Sequence, residues 1–240
     1  MEKVIVTTLL LFIFPTFAAA IENSDDPWEQ WNRKIYTFNR TIDAKIASPA
    51  AAAYLSITPR VVQQGVRNFF TNLDEVPTMI NNLLQGKVKD SASDLGRFLV
   101  NSTVGIVGLW DPASLMGLEK NQEDFGQTLG VWGMPSGPYV MLPLLGPSTL
   151  RGLVNYADYP DYDLLGIIKH TPTRQMLKGL ELVETRAEFT RYDDMLNGSL
   201  DEYIFIRDAY LQSRAHRVFD GDISDEYDSC EDETDFSCDF

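Results

Sequence analysis

Few side chains in this 240-residue sequence are equipped for covalent chemistry, and their placement is poor for it. Acyl transfer needs a Ser or Cys nucleophile beside a base that is itself oriented by a third group. The sequence offers two histidines, His170 and His216, and two cysteines, Cys230 and Cys238, both close to the C-terminus. No Gly-x-Ser-x-Gly elbow, phosphate loop or His-Glu-x-x-His pair occurs, and those are the local patterns that present a nucleophile, a phosphate or a metal. Gly146-Pro147-Ser148 does not substitute, because proline fixes that turn differently. Asp158, Asp161 and Asp163 are close enough together to bind calcium, but the run lacks the glycine and closing glutamate of an EF-hand and reads as a turn. His170 precedes Thr171-Pro172 at a helix start, and His216 stands beside Arg214 and Arg217 at a helix end, where cations complement the dipole. Both read as structural. No catalytic residue, metal or cofactor is expected.

Charge excludes another class of function. The formal net charge is −15, and from Asp220 to Phe240 there are ten acidic residues and no basic one. A nucleic-acid binder concentrates Lys and Arg instead. The acidic tail, residues 218–240, is expected to be disordered and solvated, with an optional disulfide between its two cysteines in an oxidising compartment. At the other end, Lys3, the apolar stretch from Val4 to Phe17 and Ala18-Ala19-Ala20 form a secretory signal pattern with cleavage after Ala20. Residues 21–217 then make one domain.

Helix signals recur along that domain and strand signals are scarce, so an all-α fold is expected. Asp26-Pro27-Trp28-Glu29 reads as a capped helix start with Asp26 as the N-cap. Trp28, Trp31, Ile35, Phe38, Ile42 and Ile46 then recur at helical spacing, as a helix at a membrane interface or one packed on a core would have them. Ala47 to Pro59 reads as a linker. A helix follows from about Arg60 to Gly86, kinked at Pro77, with an amide-rich face of Gln63, Gln64, Asn68, Asn72, Asn81 and Asn82 that suits a water-filled cavity or plain solvent. Lys87 to Trp110 turns apolar from Leu95 and suits a short helix, half immersed or buried. Pro112 to Pro138 reads as a long structured loop. Two helices close the domain, one from about Thr173 to Leu196 and one from Ser199, capped by Ser199 with Glu202; Asn197-Gly198 between them predicts an antiparallel hairpin.

One stretch stands apart. From Gly126 to Leu150 there is no charge in 25 residues, yet nine glycines and prolines interrupt any regular helix. Irregular backbone survives at membrane depth only when it is buried in protein or lines a cavity. The run therefore points to a chain that enters a membrane without threading it. The alternative is a soluble periplasmic binding or scaffold protein whose apolar run is core.

Several motifs together resemble the MlaA (VacJ) family. Asp26-Pro27-Trp28-Glu29-Gln30-Trp31-Asn32-Arg33 with Tyr36-Thr37-Phe38-Asn39 matches its opening, and Val66 to Leu73, Asn81 to Gly86 and Arg97 to Gly105 continue the match. Glu123-Asp124-Phe125-Gly126-Gln127-Thr128-Leu129-Gly130, Gly137 to Pro143, Glu184 to Ala187 and Tyr203 to Tyr210 follow in order. The resemblance implies a helical ring embedded mainly in the periplasmic leaflet of the Gram-negative outer membrane, with an amphipathic channel. Such proteins sit beside a porin trimer, remove phospholipids mislocalised to the outer leaflet and pass them to an MlaC-like periplasmic lipid carrier, without covalent catalysis. By the resemblance, Phe38 and Asn39 match a motif needed for channel gating, and a hairpin-like loop that influences opening falls near Met116 to Gly137. Asn68, Asn72, Phe125, Gly126, Leu129, Gly130 and Tyr139 complete the candidate channel or gating set. The family is typically lipidated on a cysteine directly after the signal, whereas Ile21 follows Ala20 here, so anchoring by embedding and partner contacts is expected.

Overall fold

The computed structural model describes residues 26–156 and 164–221. The signal segment, Asp158 to Asp163 and residues 222–240 of the acidic tail, with its cysteines, lie outside the described residues; of the tail's first residues, Val218 ends the last helix and Asp220 pairs with Lys87. The all-α class holds, with one small hairpin of strands added.

Helix α1 spans Glu29–Ile42 and passes through a π-helical turn, Asp43–Ala47, into α2, Ser48–Ile57. The expected linker from Ala47 to Pro59 is therefore mostly helix. Pro49 falls in the first turn, where its missing N–H has no intrahelical partner to lose, and the alanines that follow are the best helix formers. The helix ends at Thr58, which Pro59 holds in extended conformation. Asp26 is not the side-chain cap of α1. Its buried carboxylate instead accepts from Asn32 Nδ2 at 2.7 Å and from the Tyr203 hydroxyl.

Helix α3, Arg60–Leu84, contains Pro77, and α4, Val88–Thr103, folds back along it in the most extensive helix pairing of the molecule. Their seam is polar. Asn72 Nδ2 donates to Ser102 Oγ at 2.9 Å, Asn82 Nδ2 to Asp94 Oδ2 at 2.7 Å, and Ser91 Oγ to the Met79 carbonyl at 3.0 Å. Asn72, Asn81 and Asn82 thus face protein rather than solvent.

The segment expected as a loop from Pro112 to Pro138 contains two short helices, α5 (Pro112–Leu115) and α6 (Phe125–Val131). Asp111 caps the first by accepting from the Ser114 amide at 3.1 Å, and Asp124 caps the second by accepting from the Gln127 amide at 2.9 Å. Strands β1 (Tyr139–Leu142) and β2 (Gly146–Thr149) pair antiparallel within the uncharged run. Tyr139 and Met141 turn inward from alternate positions of β1 and, with Tyr203, form a small core against Ile35, Tyr36, Ile206, Tyr210 and Leu211.

Helix α7, Thr171–Phe189, starts on a His170 cap and is followed by a short helix α8, Asp193–Asn197, and by α9, Glu202–Val218. The Ser199 capping box does not form. Asp201 caps α9, accepting from the amides of Tyr203 and Ile204, while Ser199 Oγ donates to the Leu196 carbonyl and Glu202 accepts from Tyr36 and Arg40. Nor do α7 and α9 form a packed hairpin: α7 lies on α2 and α3, and α9 on α6 and β2.

Arg97 of α4 is the most buried cation among the described residues, at 0% exposure. Its Nε donates to Glu75 Oε1 at 2.7 Å, Nη2 to Asp111 Oδ2 at 3.2 Å, and Nη1 to Ser114 Oγ and the Leu118 carbonyl at 3.1 and 2.8 Å. One guanidinium thus joins α3, α4, α5 and the strap after α5. Arg97→Met leaves Glu75 buried without its cation, and should lower the unfolding free energy by about 3–5 kcal/mol, read by denaturant titration of the purified protein.

Candidate functional site

The interior and exterior of this fold are nearly reversed in polarity. Buried polar side chains outnumber buried apolar ones among the described residues, and include Asn32, Glu75, Asn81, Asn82, Asp94 and Arg97. Large apolar side chains lie outside: Trp31, Phe38 and Ile46 on the first helical stretch, Leu95 and Leu99 on α4, and Leu144 and Leu145 at the hairpin tip. Scattered exposed leucines need no explanation, but a polar interior beneath contiguous apolar surface does.

The apolar surface is densest after α4. Val104, Ile106, Val107, Leu109 and Trp110 are all exposed, Ile106 and Val107 by 68% and 61%. Their backbone is nonetheless internally bonded: the Gly105 amide reaches the Val100 carbonyl, Val107 that of Ser102, Gly108 that of Asn101 and Trp110 that of Gly105. Ile106 and Val107 hold left-handed φ of 53° and 58°, costly for β-branched residues. Gly108, at φ 84°, passes so close to Asn72 that a Cβ there would lie 2.7 Å from the asparagine's own Cβ. The result is a tight apolar knob whose main-chain amides, that of Ile106 apart, are paired within the protein.

Beneath this exterior is a polar cavity of about 550 Å³ between α3, α7 and the strap before α6. Glu75, Thr78 and Asn81 line it from α3, Glu181 and Glu184 from α7, and Gln127 from α6. Arg67 Nε bridges to Glu184 Oε1 at 2.8 Å and lies 3.7 Å from Glu188 Oε2, tying the two helices across the opening. At the α6 end the Arg214 guanidinium forks onto Asp124, with Nη2 3.0 Å from Oδ1. Burial alone raises the Asp124 carboxyl; the Arg214 fork and the Gln127 amide outweigh it and hold it below the ordinary carboxylate range.

Of the residues singled out from sequence, Phe125 lines this cavity. Asn68 and Asn72 sit on the same helix but bond elsewhere, Asn68 to the Leu109 carbonyl in the turn after α4 and Asn72 to Ser102 at the end of α4. Gly126 and Gly130 are close-approach points on α6: a Cβ would meet Arg214 Nη2 at 3.0 Å and Arg151 Cζ at 2.9 Å. Leu129 is half-buried beside them. Tyr139 is a core ring, edge-on to Tyr203 and Tyr210. Phe38 is exposed, and Asn39 braces the hairpin tip, donating to the Leu142 carbonyl and accepting from the Leu144 amide, both at 2.8 Å. Leu144 there has a φ of 65°. Sequence reasoning missed Arg97, Glu75 and the α7 carboxylates. The available signal was the spacing of Glu181, Glu184 and Glu188, which share one helix face.

The MlaA lipoprotein family model matches residues 24–217. The chain belongs to the MlaA family. It is 36% identical over 200 residues to the intermembrane phospholipid transport system lipoprotein MlaA of Escherichia coli (strain K12), covering 80% of this chain and 77% of that one. Against the Haemophilus influenzae protein of the same name, identity is 30% over 245 residues and coverage is 96% of both chains. An uncharacterized protein of Rickettsia typhi is 34% identical over 207 residues, with coverages of 80% and 78%. A solved structure described as "Structural basis for maintenance of bacterial outer membrane lipid asymmetry" is similar with a TM-score of 0.71 and 34% identity, covering 80% of this chain and 98% of its own. No helix among the described residues is long and apolar enough to cross a membrane.

Burial pushes the Glu75 carboxyl up to about 6, against the lowering effect of Arg97. A raised acid favours the folded state below its unfolded value, near 4.5, and that contribution is lost as pH rises through about 6. Relative to Glu75→Gln, the wild-type protein should lose about 2 kcal/mol of unfolding free energy between pH 4.5 and 7. Parallel denaturation series of the two proteins test this.

Proposed function

We infer that this chain is the outer-membrane component of an intermembrane phospholipid transport system. It removes phospholipids mislocalised to the outer leaflet through an amphipathic channel and hands them to a periplasmic lipid carrier, which maintains lipid asymmetry. The observation that carries this reading is the pairing of an apolar exterior with a polar cavity in a member of the MlaA family. A soluble scaffold with an apolar core has the opposite distribution.

In the proposed arrangement the chain is embedded from the periplasmic leaflet, with no spanning helix among the described residues, beside a porin trimer. The largely self-bonded knob at 104–110 seats among acyl chains, because six of its seven amides, all but that of Ile106, already donate within the protein. A headgroup follows the polar wall while its acyl chains track apolar surface, which lowers the cost of removing the headgroup from water. The process is transport with no bond made or broken. Asn39 holds the strained hairpin tip beside exposed Phe38, so these two residues set the hairpin that gates the passage, together with the segment from Met116 to Gly137.

Cells lacking their own MlaA-family protein should accumulate outer-leaflet phospholipid, read by a surface-restricted acyltransferase or phospholipase. Expression of this chain should reverse the accumulation; unchanged levels with the protein present in the membrane would overturn the reading. Ile106→Lys with Val107→Lys should release the protein from membranes in fractionation, since each cation costs about 2.5–3.5 kcal/mol in hydrocarbon.

A further inference from the structure

Arg151 is a cation to which the transport reading gives no role. It opens a short 3-10 turn, Arg151–Asn155, after β2, and it is half-buried and outside the polar cavity. Its Nη1 donates to the Met134 carbonyl at 2.6 Å and its amide to the Ser136 carbonyl at 3.0 Å, which ties down the strap between α6 and β1. That brace uses one nitrogen of the guanidinium. Nε is buried and meets no acceptor, and Nη2 meets none among the described residues. A buried donor left unmatched costs about 1–3 kcal/mol, and more when it is charged.

The charge is unmatched as well. Gly126 and Gly130 stand one turn apart on α6, and the guanidinium groups of Arg214 and Arg151 lie against them, where a Cβ would meet them at 3.0 and 2.9 Å. These two arginines have one carboxylate between them, Asp124, which the Arg214 fork already holds and which also caps α6. Among the described residues Arg151 forms no ion pair of its own. Burial and the neighbouring Arg214 charge both hold its guanidinium below the ordinary arginine value, as an unpaired cation behaves.

An anion with several oxygens answers both deficits. A guanidinium suits phosphate in particular, because its adjacent N–H groups meet two oxygens at once. The strap that Arg151 braces carries Val131, Trp132 and Met134, all apolar and all exposed. A phosphate joined to acyl chains fits a cation beside such a surface better than a hydrated free ion does. We propose that Arg151 is a phosphate-binding site, and that the phosphate is the diester of a phospholipid whose acyl chains lie on the strap at 131–134. The lipid source rests on the transport reading; the phosphate chemistry does not.

The full chain in maltoside micelles, in phosphate-free buffer, is treated with phenylglyoxal, and modification of Arg151 is followed by peptide mass spectrometry against exposed Arg60. Dihexanoylphosphatidylglycerol is expected to slow modification of Arg151 about tenfold relative to Arg60, whereas dihexanoylglycerol, which lacks the phosphate, leaves it unchanged. Inorganic phosphate at the same concentration should protect weakly. Protection equal to the lipid's would support the phosphate site and overturn its lipid source. Arg151→Lys keeps the charge and a donor for Met134 but loses the fork, and should weaken lipid binding severalfold in calorimetry, a loss that bracing the strap would not produce. Protection is read on the wild-type chain, so it decides the matter even where the variant fails to fold. Equal protection by dihexanoylglycerol, or none by any of the three, would overturn the site. The transport reading would then still stand, because outer-leaflet phospholipid levels decide it.

Discussion

Hydrogen-bond satisfaction of buried polar groups is the constraint on which this fold turns. The Arg97 guanidinium donates to one carboxylate on α3, one at the cap of α5, a hydroxyl and a carbonyl, and these acceptors come from two parts of the chain, Glu75 and the segment from Asp111 to Leu118. A buried ion pair is weak as a source of net stability, because desolvation offsets most of its attraction. It is strong as a specification. Any arrangement of α3, α4 and α5 that misaligns these partners strands a charge, so the register of the helix hairpin is set by polar matching rather than by apolar interdigitation.

That constraint follows from what lies outside. When the exterior is apolar, burying leucines between helices has little driving force in a bilayer, and interhelical hydrogen bonds take over the role of holding helices together. Asn72, Asn82 and Ser91 serve α3 and α4 in this way. The apolar residues that would have formed their seam in a water-soluble protein are free to cover the surface and to build the knob after α4. The cavity is then a by-product of the same rule: where polar walls are not matched to one another, space for a polar guest remains.

Helix α1, most of α3 and the body of the C-terminal helices were legible from periodicity, because an apolar stripe reads the same whether it faces a core or a lipid. What it faces was not legible, which is why the amides of α3 admitted two readings and why Arg97 was read only as part of a motif and not as a buried cation. Helix α2 was hidden by Ser48-Pro49, a pair that breaks a helix internally but suits its first turn. The caps of α5 and α6 were present as Asp111-Pro112 and as Asp124 three residues before Gln127, and were obscured by the surrounding Gly and Pro. Asp201 displaced Ser199 at α9 because a carboxylate can serve two amides at once, and because Glu202 was already committed to Tyr36 and Arg40. Of the candidate site, Phe125 could be read from its motif; the cavity wall could not, since it is assembled from α3 and α7, far apart in sequence.

The buried carboxylate of Asp26 has a consequence for assembly. It stands at the very start of the fold, yet one of its partners is the Tyr203 hydroxyl, 177 residues later, in the last helix. The first helix is thus fastened by the last, much as a belt is closed by its buckle. A chain emerging N-terminus first has no means of completing that fastening until nearly all of it has arrived, and until then its apolar exterior is unsupported. Maturation is therefore an end-game event, in which a nearly whole chain must be kept from aggregating before it closes on itself.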